Sequence, residues 1–469
     1  MKRMQKIAVA LATMGLASQS WGAGFEKSVS WSGKHVGVGG AAVSRVQGAE
    51  SLFFNPAGLA GAPGIDLSAN FSPTFTKAEG PLVENSKSVA GTQQFSPVFG
   101  LLSSYAVTPD LGAGVGVFVT GGTKAVYEGV DYSGLNSEFT IKGNAKSDLS
   151  LIEISPGVGY RLADGLKVGA AWRVSLVKGA FSSAQATDLK TVNPALPDGS
   201  YLAQSVNVDG LSGQAYSGFR VGAQWAPEGA NWGLGLNVRT PIKFTLKGTS
   251  SGTVQYRGGG ALAAGNALNA DVKNLTGAAA DVSSQLPTQV ALGGHWDVAD
   301  RKVGLFFEYV WTNYSAVKSI AIASSVTTPS DVINDAQKTA LGATGQALGA
   351  ALNDKTSALP DFATAWFDQN QIRLGSEFRY IENWPLRVGY VLTSQVVPGG
   401  NARATFSSPG LGHTFAFGTG SLFADNKLGF DVSFEYSLAS GSSVGSAQAK
   451  AGDYKTRALG IHTGLAYAF

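Results

Sequence analysis

The sequence predicts an all-β protein, a 14-stranded antiparallel transmembrane β-barrel with an N-terminal plug in its lumen. Three observations predict it. Apolar and polar residues alternate with period two from one end of the chain to the other, the mark of strands with two unlike faces. Tight turns alternate with long polar loops, the pattern of outer-membrane barrels. Beyond the N-terminus no stretch offers the roughly 18 consecutive apolar residues that a membrane helix needs.

The chain begins with Lys2, Arg3 and Lys6, an apolar run from Ile7 to Leu16, and Ser20-Trp21-Gly22, so residues 1–22 are expected to be a secretory signal peptide. Those three basic residues account for the whole formal charge of +3, which leaves the rest of the chain neutral. With no basic stripe to follow a phosphate backbone, nucleic acid is excluded as a partner. No acidic or cysteine cluster offers a metal site, no cofactor motif is present, and the absence of cysteine excludes disulfides and thiolate chemistry.

Residues 23–65 are too long and too apolar to be an idle tail. A barrel of fourteen strands encloses more volume than its own side chains fill, so this segment is expected to plug the lumen, with the barrel running over 66–469. The expected strands are 66–76, 95–107, 111–128, 147–162, 165–181, 211–226, 230–247, 286–299, 301–322, 365–380, 384–397, 412–422, 426–445 and 454–469. In the thirteenth, Leu428, Phe430, Val432, Phe434 and Tyr436 point one way, while Gly429, Asp431, Ser433 and Glu435 point the other. Val168, Ala170, Trp172, Val174 and Leu176 alternate in the same manner with Lys167, Gly169, Ala171, Arg173 and Ser175. Turns such as Thr108-Pro109-Asp110, Ala163-Asp164-Gly165 and Pro227-Glu228-Gly229 follow the even-numbered strands, and longer polar loops follow the odd ones. The ring must close, because an open edge would leave backbone groups unsatisfied in hydrocarbon. One long loop, Ser330 to Asp354, has helical spacing at Val332, Ile333, Ala336, Ala340 and Leu341, with Ser330 as the expected cap. The chain ends in Ala466-Tyr467-Ala468-Phe469, which resembles the terminal signal read by the barrel assembly machinery during biogenesis.

Several segments carry a more specific resemblance. Ala23-Gly24-Phe25, the Ser/Gly-rich stretch Ser30 to Ala42, and Ser51-Leu52-Phe53-Phe54-Asn55-Pro56-Ala57-Gly58-Leu59 look like the hatch of the long-chain fatty acid and aromatic hydrocarbon transporter family, FadL and TodX. Leu286-Pro287, Trp311-Thr312-Asn313-Tyr314, Gln371-Ile372-Arg373-Leu374-Gly375, Leu386-Arg387-Val388-Gly389-Tyr390 and Val397-Pro398 extend the likeness through the barrel. The resemblance implies a monomeric barrel in the Gram-negative outer membrane, surrounded by its lipid and lipopolysaccharide. It implies uptake of a hydrophobic small molecule by facilitated diffusion, with passage sideways through the wall near the third strand. Long-chain fatty acids or related lipids are the first expectation and monoaromatic hydrocarbons the alternative. From other classes, a structural or adhesive barrel would not need the plug, and an enzyme would need a paired nucleophile and base. His35, His295, His413 and His462 are scattered and supply no such pair, although His413 and His462 are expected to face the lumen.

The candidate residues follow from their chemistry. In Asn55-Pro56-Ala57, proline fixes φ, the preceding residue is pushed out of the helical region, and the Asn amide can bond nearby backbone, so a defined kink is expected. Phe25, Trp31, Phe53 and Phe54 are candidate contacts for a hydrophobic substrate, or else core of the plug. Gly112, Gly114, Gly116, Gly121 and Gly122 lie within or at the end of the third strand, where glycine marks a bend or a close approach, fitting either a wall opening or packing against the plug. Arg173, Arg220, Arg373 and Arg379 face the lumen and are suited to a carboxylate. The heavier expectation is that they pair with Glu308, Glu377, Asp431 and Glu435 in a charge ladder.

Overall fold

The computed structural model describes residues 31–469 apart from 63, 192, 193, 195, 260–269 and 407. The signal-peptide segment and Phe25 lie outside the described residues. Fourteen antiparallel wall strands form the ring: β1 (Ile65–Pro81), β2 (Gln94–Ala106), β3 (Leu111–Asp131), β4 (Lys142–Ala163), β5 (Leu166–Asp188), β6 (Tyr201–Trp225), and β7 in two stretches (Trp232–Arg239, Ile242–Arg257). They continue with β8 (Ala279–Leu286, Gln289–Val298), β9 (Val303–Thr312, Ser319–Ala323), β10 (Gln369–Phe378), β11 (Leu386–Thr393), β12 (Gly412–Phe423), β13 (Leu428–Ser443) and β14 (Gly452–Ala468). Each pairs with its neighbour, and β1 pairs with β14 from Asp66↔Ala468 to Glu79↔Lys455, so the ring closes and no edge is left in lipid.

The outer face is apolar, with Phe71, Leu101, Trp172, Phe219, Leu292, Phe307, Leu374 and Phe434 exposed, as expected of side chains whose solvent is lipid. Inside, the alternate positions meet residues 31–62, which fold into two 3-10 turns (Val36–Val38, Pro56–Leu59) and one helical turn (Ser51–Phe54). This inner segment touches the wall on opposite sides. Ser433 of β13 donates to Gly33 O at 2.5 Å, Glu308 of β9 accepts from Ala42 N and Val43 N at 3.0 and 2.9 Å, and Asn55 reaches β6 and β7.

Four expectations need correction. Several strands run past the membrane: β4 starts at Lys142 rather than 147, β5 ends at Asp188 rather than 181, and β6 starts at Tyr201 rather than 211. These extensions pair regularly, as in Thr187↔Leu202 and Asn207↔Ser251, but both faces are out of lipid and the apolar–polar alternation fades. The ninth strand, expected as continuous, is broken after Thr312 by a 3-10 turn at Tyr314–Ala316. The loop helices are Asp335–Ala340 and Gly342–Leu352, and their cap is Asn334, in a capping box with Gln337, not Ser330. Val332 and Ile333 precede them as buried anchors. Finally, His413 shares the outward parity of Phe415 and Phe417 and meets the Tyr390 hydroxyl at 2.8 Å, whereas His462 does face inward, fully buried against Ser72 and Glu435.

Candidate functional site

Between β2 and β3 the wall ladder stops short. β2 pairs with β1 along its whole length, from Ile65↔Tyr105 to Thr76↔Gln94. It pairs with β3 only from Ala106↔Gly112 to Gly100↔Phe118, and beyond that a single bridge, Thr92↔Val126, joins the two sides. Between them no ladder pair joins Gln94–Phe99 to Val119–Ala125 among the described residues. β3 stays with β4, but Thr120 is an extra residue between the pairs Val119↔Ile152 and Gly121↔Leu151. Such a bulge bends its strand, and here every residue from Phe118 to Thr123 is buried, so β3 leaves the wall line and turns inward. Gly122 follows with φ 147°, a conformation that favours glycine.

The five candidate glycines of β3 sit in three settings. A Cβ on Gly112 would stand 2.0 Å from Leu59 O, and one on Gly114 3.3 Å from Leu52, so these make room for the inner segment. Gly116 packs against Leu102 of β2, and Gly121 and Gly122 belong to the bulge.

Behind the gap stands an aromatic group. Trp31, Phe53 and Phe118 are mutually in contact, with ring centroids 5.4 Å (Trp31–Phe53), 5.8 Å (Trp31–Phe118) and 5.4 Å (Phe53–Phe118) apart. Phe54 extends the group edge-on from Phe53 at 4.9 Å, and Val98, Leu102 and Val119 complete the apolar packing. Arg220 lies 5.6 and 5.8 Å over Phe53 and Phe118, and Arg239 4.7 Å over Phe53, geometry suited to cation–π attraction.

Asn55 fixes this arrangement. Its Nδ2 donates to Val43 O at 2.8 Å, Ala223 O at 2.9 Å and Leu236 O at 3.2 Å, while its Oδ1 accepts from Ala57 N at 3.2 Å. One side chain thereby ties the inner segment to itself and to two wall strands. It is buried, extended at φ −166°, and followed by Pro56 at the start of the 3-10 turn, the kink expected from the tripeptide.

The four candidate arginines are all engaged. Arg173 and Arg220 meet Glu153 at 2.8 and 3.0 Å, every side chain at 0% exposure, and Arg220 also donates to Leu52 O at 2.5 Å. Arg373 meets Glu308 at 2.9 Å, and Arg379 meets Glu377 at 2.7 Å and Asp297 at 3.0 Å. Arg387 adds bonds to Glu377 and Asp431, both at 2.6 Å. The ladder therefore clamps one flank of the inner segment, where Arg45 also reaches Asp297. Glu435, expected beside an arginine, stands 3.3 Å from His462. Within the buried group, Arg220 Nε and Nη2 have no hydrogen-bond partner among the described residues.

Above the inner segment the lumen is apolar. Leu149, Leu151, Val177, Ile242, Phe244, Leu286, Tyr314 and Trp366 form a continuous cluster that reaches up to Phe406 among the long loops. At its upper end a cavity of 220 Å³ is lined by Phe181, Ile322, Val326, Leu359, Phe362 and Arg403. The Arg403 guanidinium lies 4.1 Å from the Phe362 ring centroid, and burial holds its pKa below the ordinary arginine value. Asp361 lines the same cavity, but its Oδ1 accepts from Ile322 N at 2.9 Å. Sequence reasoning did not single out Arg403, because it sits in a loop without periodicity. Glu153 was missed as well, although the alternation in Leu151-Ile152-Glu153-Ile154 sets it on the lumen side of its strand.

Comparison with known proteins agrees with this geometry. Over residues 13–469 the chain matches the family described as outer membrane protein transport protein (OMPP1/FadL/TodX). No curated protein sequence matches it. Among solved structures it is similar to a Pseudomonas aeruginosa FadL homologue (14% identity, 95% of this chain and 100% of that one, TM-score 0.70). It is also similar to the P. putida toluene transporter TodX (14%, 94% and 99%, 0.67) and the Ralstonia pickettii toluene transporter TbuX (16%, 94% and 99%, 0.60). At such identities the likeness establishes the fold. With a closed fourteen-stranded ring and a family match over nearly the whole chain, the protein belongs to the OMPP1/FadL/TodX family of outer-membrane channels for hydrophobic compounds.

Proposed function

We propose that the substrate is an amphipathic molecule with an acidic head and a long apolar tail, a long-chain fatty acid or related lipid, moving by facilitated diffusion. The observation that carries this is the loop cavity, where a half-buried cation, Arg403, borders walls of Phe181, Ile322, Leu359 and Phe406. A carboxylate gains a charge-assisted bond there while its tail leaves water. A second, separate apolar cluster holds the aromatic group of Trp31, Phe53 and Phe118, where two donors of Arg220 without a partner among the described residues offer a second anchor. The molecule then leaves sideways through the unpaired stretch between β2 and β3 into the membrane. No step requires catalysis, metal or cofactor, since partition out of water drives the movement.

A second reading is favoured by one observation. The tilted and edge-on rings of Trp31, Phe53 and Phe118 would hold a flat monoaromatic hydrocarbon without any charged anchor, and two of the similar structures are toluene transporters.

Binding of oleate, methyl oleate and toluene to the detergent-purified protein separates these readings. The acid reading expects oleate to bind and Arg403→Ala to weaken it by about tenfold, the scale of one charge-assisted bond, with methyl oleate unaffected. Toluene binding without oleate binding would establish the second reading. Binding of none of the three, together with free leakage of sugars from liposomes, would make the protein a general pore.

A further inference from the structure

A feature of the outer wall lies apart from the substrate path. β7, β8 and β9 break on one level: Arg239 pairs with Gln289 and Gln289 with Thr312, and just beyond these come Thr240-Pro241, Pro287-Thr288 and the turn after Asn313. Neither proline can donate to a ladder, so three adjacent strands lose their regular pairing together and the wall is dented. The dent is a cavity of 620 Å³ lined by Gln214, Lys243, Thr245, Ser283, Gln285 and Lys318. Ile242, Phe244, Leu286 and Val317, all buried, seal it from the lumen.

Its depth in the membrane follows from its neighbours. On the side toward the tight turns the outward residues are apolar or aromatic, Phe219, Tyr216, Leu292 and Tyr309 among them. On the side toward the long loops they become polar, as at Thr245, Lys247 and Asp281. The dent therefore sits where hydrocarbon meets headgroups, in the leaflet on the side of the long loops, which is the outer one.

The polar groups there are underused. Lys247 has a carboxylate partner, Asp281, at 3.5 Å, whereas no ion pair or hydrogen bond reaches the ammonium of Lys243 or Lys318 among the described residues. The Ser284 hydroxyl, also in the lining, is buried with no hydrogen-bond partner among the described residues. Thr245 and Ser283 share a hydrogen bond of 2.8 Å, and the Gln285 amide donates to Ala316 O at 2.9 Å, which holds the lining in place.

We propose that this dent binds the headgroup of a phosphorylated glycolipid of the outer leaflet. Lys243 and Lys318 face its phosphate, the serine and glutamine side chains its sugar hydroxyls, and its acyl chains lie down the apolar wall over Phe219 and Leu292. Two unpaired cations on one small surface at headgroup depth strengthen binding of an anionic lipid, and the partner is fixed by what occupies that leaflet. The inference does not depend on which compound the channel carries.

The test uses the full-length protein in detergent, with bisphosphorylated lipid A, its dephosphorylated form and inorganic phosphate as probes. Wild type is expected to prefer the bisphosphorylated lipid. The double variants Lys243→Ala/Lys318→Ala and Lys243→Gln/Lys318→Gln should each lose about tenfold in affinity while remaining heat-modifiable barrels. Lys427→Ala, an exposed lysine beside the tight turn at the opposite end, should change nothing. The proposal is overturned if both double variants bind as wild type, if the dephosphorylated lipid binds equally well, or if inorganic phosphate at the same concentration displaces the glycolipid.

Discussion

Asn55 holds the inner segment at several points, because its amide serves acceptors on Val43, Ala223 and Leu236 at once. Replacing it with alanine leaves those buried carbonyls with fewer donors, at about 1–3 kcal/mol for each one left unsatisfied. Asn55→Ala is therefore expected to lower the temperature at which the purified barrel loses its compact form on unheated gels. The wall offers an independent check, since a Cβ on Gly222 would stand 1.9 Å from Asn55 Oδ1. Gly222→Ala should reproduce the Asn55→Ala shift although it removes no polar group. An unshifted transition in Gly222→Ala would mean that the inner segment yields without cost. The Glu153 cluster behaves differently. Its carboxylate is the acid shown between Arg173 and Arg220 at full burial, and breaking such a pair from one side costs about 3–5 kcal/mol. Glu153→Gln should assemble poorly in the outer membrane, seen as a fall in folded protein per cell, whereas Lys142→Ala, which loses only an exposed ion pair with Asp131, should assemble normally.

At the level of elements, the decisive departure is the extra residue at Thr120 in β3. With Thr120 present, β3 shifts register against β4 and parts from β2. Deleting Thr120 restores the two-residue rhythm, lets the ladder with β2 lengthen, and should cut uptake of labelled oleate by cells lacking other transporters by about tenfold or more, while thermal stability holds or rises. Undiminished uptake would place the exit elsewhere. Much of this was legible beforehand and some was not. Glycines at 112, 114, 116, 121 and 122 announced an irregular third strand, and the alternation at 168–176 and 428–438 placed those faces correctly, since a strand between lipid and a packed lumen must alternate. The bulge itself left no trace in that pattern, because Phe118 to Thr123 are buried on both sides and alternation has nothing to report. The same loss of contrast hid the upper ends of β5 and β6, which stand outside lipid, and misplaced His413, whose outward hydrogen bond to Tyr390 makes a polar side chain tolerable on that face.

Taken whole, the molecule is two bodies that explain one another. The wall spends glycines where the inner segment presses on it: Gly169 and Gly159 against Pro56, Gly235 against Val43, Gly375 and Gly389 against Val38 and Gly39, Gly100 against Trp31. A wall evolved for an open pore would carry side chains at those positions. The inner segment in turn supplies partners to lumen charges that would otherwise face an empty channel, as Ala42 N and Val43 N do for Glu308, Gly40 O for Arg373 and Arg45 for Asp297. Removing residues 31–62 from the full chain should therefore leave a ring that still closes, because the β1–β14 pairing involves none of them. The lumen, however, would be left wide, polar on the ladder flank and lined by bare glycines on the other. Such a barrel is expected to pass small sugars in a liposome-swelling assay and to show no preference for hydrophobic substrates, whereas the intact protein is expected to pass no sugar. If the deleted form stays impermeable, the long loops rather than the inner segment close the channel, and the apolar cluster from Leu151 to Phe406 is the seal.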